Sequence, residues 1–214
     1  SLKSVRFKYL KTIAYVSSFL HKEYFEQGRS IVMSSFAQPL DAASEQLCLV
    51  DQNDEIIGNL AKDACHFGAG IRHRAFSLHV MNSRGQFLIQ RRSEMKMLWP
   101  QFWSNSCCSH PRLGETVEEA VKRRAKEELG LAVDPEFRYK FEYREEFRDS
   151  GTEHEICHVF LARNDDPPDV HPQEISEFTY IDAGDLTRMI SQQGDEFTPW
   201  FRMQWKVLSA ELTL

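Results

Sequence analysis

Residues 99–131, WPQFWSNSCCSHPRLGETVEEAVKRRAKEELGL, bring two adjacent thiols, an imidazole and a dense run of charge into one stretch. On a helix stopped by Gly130, Glu115, Glu127 and Glu128 offer carboxylates to a metal ion, while Arg123 and Arg124 offer guanidinium groups to a phosphate. The plain alternative is a solvated charged face, the norm for surface helices. Further on, Glu153 and Glu155 are two residues apart, so a strand presents both on one face and turns His154 away. Two carboxylates so placed can reach one centre, or simply form a polar strand face. His66, His73 and His110 come from three separate places, and a lone histidine is more often a surface or core residue than a ligand. Cys107 and Cys108 are not separated by composition, and a free cysteine is usually a buried, inert thiol.

The elements that must carry these groups follow from periodicity and punctuation. Glu45–Asn59 reads as a hairpin about the polar turn at 51–54, followed from Leu60 by a short helical or irregular segment with Lys62, Cys65 and His66. RAFSLHVMNSRGQFLIQRR repeats strand, turn and strand about Asn82–Gly85. Gly114–Leu129 reads as a helix, with Thr116 and acids near its start, bases in its second half and Gly130 as its stop. Residues 137–147 and 154–162 form a strand pair around a turn at 149–151. A last strand leads into a helix from Asp182 or Asp185 that stops near Gly194, and a final helix has Pro199 in its first turn. Hairpins alternating with helices give an α+β chain, a mixed sheet flanked by helices.

Composition narrows the classes. The formal charge of -6 and pI of about 5.8 argue against a general nucleic-acid binder. An odd count of 5 cysteines in 214 residues is not a disulfide scaffold, so reduced thiols and a cytoplasmic protein are expected. No apolar run approaches the ~20 residues needed to cross a bilayer, so no membrane partner is expected. Residues 1–44 differ in character: Lys3, Arg6, Lys8, Lys11, His21 and Lys22 precede the first acid, Glu23, which faintly suggests a transit peptide. An added helix, or upstream residues ahead of a later start at Met33, is the plainer reading. Residues 38–44 read as a linker, leaving a main domain over 45–214.

Residues 109–131 resemble a degenerate Nudix box, G-x5-E-x7-R-E-U-x-E-E-x-G-U with U a bulky aliphatic residue. Glu115, Arg123, Glu127, Glu128, Gly130 and Leu131 fall in place, whereas the first glycine is Ser109 and the glutamate after the arginine is Arg124. That departure weakens the case for a Nudix diphosphohydrolase, since the missing glutamate helps gather cations there. With the preceding SNSCCSHP, the chain is similar to the type I isopentenyl-diphosphate isomerases over roughly residues 45–205. The resemblance implies a Nudix α/β/α sandwich with a mixed sheet. It also implies interconversion of isopentenyl and dimethylallyl diphosphates by protonation and deprotonation, in isoprenoid biosynthesis. A Nudix diphosphohydrolase and a non-catalytic Nudix-like binding module are the alternatives.

The same resemblance assigns residues. His66 and His73 match an H-x6-H pair, His110 the SHP histidine, and Glu153 with Glu155 an E-x-E, together implying a divalent-metal site for Mn, Mg or Zn. Cys108 and Glu155 match the acid-base pair, Tyr143 a tyrosine assisting that glutamate, and Trp200 a ring that shields the cation. Lys62, Arg92, Lys96 and Arg124 are implied to hold the diphosphate, with Mg carried by the substrate and bridged to Glu128. Neither a flavin nor a nicotinamide is called for, and oligomeric state is left open.

Overall fold

The computed structural model describes residues 45–211; the readings made for residues 1–44 fall outside them. Strands β1 (Gln46–Val50) and β2 (Ile56–Ala61) pair antiparallel across the expected turn and run directly into α1 (Lys62–His66). Next come β3 (His73–Met81) and β4 (Gln86–Arg92), the short strands β5 (Trp103–Ser104) and β6 (Cys107–Ser109), and α2 (Val117–Leu129). The remaining elements are β7 (Glu136–Phe147), β8 (Gly151–Arg163), β9 (Ile175–Asp182), α3 (Ala183–Gln192) and α4 (Pro199–Glu211).

β3 is the hub. It runs antiparallel to β1, β4 and β6 but parallel to β8, which forms the long hairpin with β7. β9 adds antiparallel to β4, so the sheet is mixed.

Period-two alternation sorts the side chains of this sheet onto two faces. Phe76, Leu78, Val80 and Leu88 pack with Ala120, Val121, Ala125 and Leu129 of α2. Met81, Phe87 and Ile89 pack on the other face with Leu186 of α3 and Trp200, Phe201 and Trp205 of α4. The result is a helix, sheet and helix sandwich of the α+β class. Local signals set the helix ends: α2 starts at a capping box in which Thr116 and Glu119 satisfy each other's backbone N–H groups, later than the expected Gly114. It ends at Gly130, which takes a φ of 70°. A Cβ there would also meet Asp169 at 2.9 Å, so glycine is required by space as well as by conformation. Asp182 and Pro199 begin the last two helices as read from sequence.

Candidate active site

The strand registers assemble the site. His73 on β3 lies opposite Glu155 on β8, and Glu155 lies opposite Tyr143 on β7, so three adjacent strands put these side chains in one row. Two residues along β8, Glu153 shares their face. β6 pairs Cys108 with Ser77, and His110 follows just beyond. His66 arrives from the end of α1, where the β7–β8 turn approaches so closely that a Cβ on Gly151 would stand 2.6 Å from the His66 carbonyl oxygen.

These elements bring His66, His73, His110, Glu153 and Glu155 together, with one ligand atom from each all within 4.8 Å of one another, and all five are buried. His66 Nε2 lies 2.8 Å from Glu153 Oε2, and His110 Nε2 lies 3.0 Å from Glu155 Oε1. The Nδ1 atoms of His66 and His73 face the carbonyls of Lys62 at 2.6 Å and Ile71 at 2.7 Å. Donation from Nδ1 leaves each Nε2 as a lone pair aimed into the cluster. His73 Nε2 and His110 Nε2 then face each other at 3.2 Å. Two imidazole nitrogens that close, beside two carboxylates, are a donor set for a divalent cation. Burial works to raise the Glu155 carboxyl, but the neighbouring His110 and His73 imidazoles hold it well below the usual range. Burial also pushes His110 down to about 4, leaving a neutral imidazole able to ligate.

Beside the cluster lies a cavity of about 280 Å³, lined by Lys62, Arg92, Lys96, Cys108, Tyr143, Glu155 and Trp200 among others. Tyr143 donates to Glu155 Oε2 at 2.6 Å. Trp200 is packed edge-on to Trp99 at 5.2 Å and carries the Arg92 guanidinium over its ring at 5.3 Å. Arg92 also donates to the carbonyls of Trp99 and Leu98, and Lys96 to Glu174 at 2.6 Å. The alternation of β6 distinguishes the paired cysteines: Cys108 lines the cavity, whereas Cys107 packs into the core on the α2 face. His154 turns away, as its spacing requires, and meets Glu142.

Arg124 and Glu128 are placed differently from the expectation. Neither lines the cavity. Arg124 is 1% exposed, and its guanidinium is divided among Glu127, Glu128 and Glu174 at 2.8–3.1 Å. The i, i+3 and i, i+4 spacings within α2 put those partners within its own reach, so an internal ion-pair cluster forms behind the wall. Of Arg124's carboxylate partners, Glu174 is on the wall, with Gln173 beside it. Both lie in a loop that no local pattern marked, and the same is true of Asn105, which accepts from the Cys108 thiol at 2.9 Å.

Residues 71–201 match the NUDIX domain family. An isopentenyl-diphosphate Delta-isomerase 1 of Photorhabdus laumondii is 44% identical over 163 residues, covering 75% of this chain and 93% of that protein. The chain belongs to the type I isopentenyl-diphosphate Delta-isomerases of the Nudix superfamily. An isomerase of this family from Escherichia coli O6:H1 is 37% identical, covering 75% of this chain and 90% of its own. The crystal structure of DR0079 from Deinococcus radiodurans superposes with a TM-score of 0.57 at 28% identity, covering 70% of this chain and 90% of that one. A MutT protein from Methanosarcina mazei Go1, with a TM-score of 0.55 at 18% identity over 66% of this chain and 95% of its own, shares the fold. Family membership gives the His and Glu cluster a context: in a type I isomerase, a buried group compatible with a divalent metal sits against the cavity that holds Cys108.

Proposed function

We propose that this chain interconverts isopentenyl diphosphate and dimethylallyl diphosphate, with Cys108 and Glu155 as its acid-base pair. The observation that carries the assignment is that both side chains line one cavity, Glu155 backed by Tyr143 and the three histidines. Adding a proton to the terminal alkene carbon leaves a tertiary carbocation, and losing one from the adjacent methylene restores the double bond in its new place. One proton enters and one leaves, so no redox cofactor is required. The two groups exchange roles when the reaction reverses.

His66, His73, His110, Glu153 and Glu155 are the residues that would hold a divalent ion, with manganese, magnesium and zinc all compatible with mixed nitrogen and oxygen donors. Bound there, an ion would withdraw charge from the Glu155 carboxylate and make a proton on its other oxygen easier to give up. Tyr143, on Oε2, is placed at that other oxygen. Trp200 offers the carbocation a π face that is not nucleophilic. Lys62, Arg92 and Lys96 are the cavity's cations for the diphosphate. Arg124 supports that end from behind, through Glu174. Glu128 is held in the same ion-pair cluster and does not reach the cavity, so no magnesium bridge is assigned to it. The five cysteines are free thiols, which suits a cytoplasmic enzyme.

The hydrolase alternative loses ground at Arg124. In place of the box glutamate stands a guanidinium that neutralises Glu127 and Glu128 instead of leaving them to a cation. Incubating the protein with isopentenyl diphosphate and magnesium, then separating dimethylallyl diphosphate from released phosphate, decides between them. Isomer without phosphate is expected; phosphate release without isomer would overturn the assignment.

A further inference from the structure

Around Cys108 runs a chain of buried polar groups that the proposed chemistry does not use. Asn105 is oriented unambiguously: its Nδ2 donates to the carbonyls of Leu78 at 3.1 Å and Cys107 at 3.0 Å, so its Oδ1 must face Cys108. Oδ1 accepts from the Cys108 thiol at 2.9 Å and from the Ser104 hydroxyl at 3.1 Å. Ser104 in turn meets the Thr198 hydroxyl at 3.0 Å, two residues before Trp200.

On the other side, Ser77 Oγ lies 3.2 Å from Cys108 Sγ. The Gln204 amide donates to Ser77 Oγ at 2.8 Å, and the Gln204 Oε1 accepts from His79 Nε2 at 3.0 Å. Because Gln204 already supplies a hydrogen to the serine oxygen, the serine proton must point elsewhere. Cys108 at 3.2 Å and Cys157 at 3.4 Å compete for it. The Cys108 hydrogen is already given to Asn105, so in the contact with Cys108 the serine hydroxyl is the donor. Gln204 and Ser104 are fully buried, and Ser77 and His79 are nearly so. In such a place, polar groups persist only when satisfied, and here each one satisfies the next.

We propose that Asn105 and the Ser77–Gln204–His79 chain are positioning residues for the reaction, clamping the Cys108 sulfur between an acceptor, Asn105 Oδ1, and a donor, the Ser77 hydroxyl. The inference rests on the proposed role of Cys108. A proton carrier must be held in line with the carbon it serves, and small misplacements cost rate without costing affinity. The clamp also gives α4 a second function. Trp200 at its first turn faces the cavity, and one turn further on Gln204 secures the thiol from behind.

The test is steady-state isomerisation of isopentenyl diphosphate by the metal-loaded full chain, with bound metal and melting temperature measured for each variant. Ser77→Ala and Gln204→Leu are expected to lower kcat about tenfold while KM stays within about twofold and metal content is unchanged. Wild-type kcat in Ser77→Ala, or a loss accompanied by an equal rise in KM or by lost metal, overturns the inference. If Gln204→Leu does not fold, Ser77→Ala, which removes a single oxygen, decides alone. Cys108→Ala is measured alongside: full turnover there overturns the role of the thiol itself. An inactive Cys108→Ala beside fully active Ser77→Ala and Gln204→Leu overturns only the positioning chain.

Discussion

Tyr143 donates its phenolic hydrogen to Glu155 Oε2 at 2.6 Å, while the other oxygen of the same carboxylate faces His110 at 3.0 Å and His73 at 3.5 Å. The β7–β8 register makes this inevitable, because Tyr143 and Glu155 are direct cross-strand partners on one face of the sheet. One carboxylate oxygen is thereby committed to the histidine cluster and one to the phenol above the cavity.

Replacing Tyr143 with Phe keeps the ring in the core and removes only this hydrogen bond. A bond to a charged acceptor is worth about 1.5 to 3 kcal/mol, so kcat is expected to fall roughly 10- to 100-fold with bound metal retained. Turnover at the wild-type rate in a Tyr143→Phe protein of normal metal content would remove the phenol from the mechanism.

Chelation addresses the other oxygen. Dialysis against a strong chelator is expected to abolish isomerisation and to lower the melting temperature, because an ion bound by the five clustered ligands stabilises the folded state that holds them together. Adding back manganese, magnesium or zinc singly, and measuring both recovered rate and bound ion, identifies the metal that belongs there. Undiminished turnover by protein shown to be metal-free would exclude a role for the cluster.

Arg124 separates structure from binding. Its guanidinium is buried among three carboxylates, so Arg124→Ala strands Glu128 and Glu174 with part of their charge uncompensated. Truncating one member of such a buried cluster typically costs about 3 to 5 kcal/mol of stability. Urea unfolding should register that loss, whereas Lys96→Ala, on the cavity wall, should raise KM and destabilise less, because Arg124 still pairs with Glu174. An Arg124→Ala protein of normal stability and raised KM would place the guanidinium on the substrate after all.

What could be read in advance follows from how local each determinant is. The Thr116 and Glu119 box, Gly130, Asp182 and Pro199 act within a few residues of themselves, and the helices they delimit lie close to where the pattern puts them. The parallel pairing of β3 with β8 joins His73 to Glu155 across 82 positions, and no local pattern encodes it. The metal-ligand candidates were therefore nameable only through the family resemblance. Arg124 shows the same limit: its spacing to Glu127 and Glu128 is visible in the sequence, but Glu174, its third partner, comes from a distant loop. Asn105 and Gln204 gave no signal either, because a buried amide is recognised by what it touches.

His79 predicts how the protein responds to acid. It is 2% exposed, and burial pushes its imidazole down to about 4 despite the hydrogen bond to Gln204. In the unfolded chain the same group titrates near 6.5. Between those two values the unfolded state binds a proton that the folded state does not, so stability rises with pH across the window and falls as the solution is acidified. The full difference corresponds to roughly 3 kcal/mol, developed as pH drops from about 6.5 to about 4 and constant outside that range. Substituting His79→Gln removes the titration, so its stability curve should be flatter than wild type over this interval, even if it is lower at neutral pH. Urea melts at half-unit steps of pH from 4 to 7, on wild type and variant under the same metal load, read out the slope. Parallel curves for the two proteins would show that the acid sensitivity comes from other groups and that His79 is protonated in the fold at little cost.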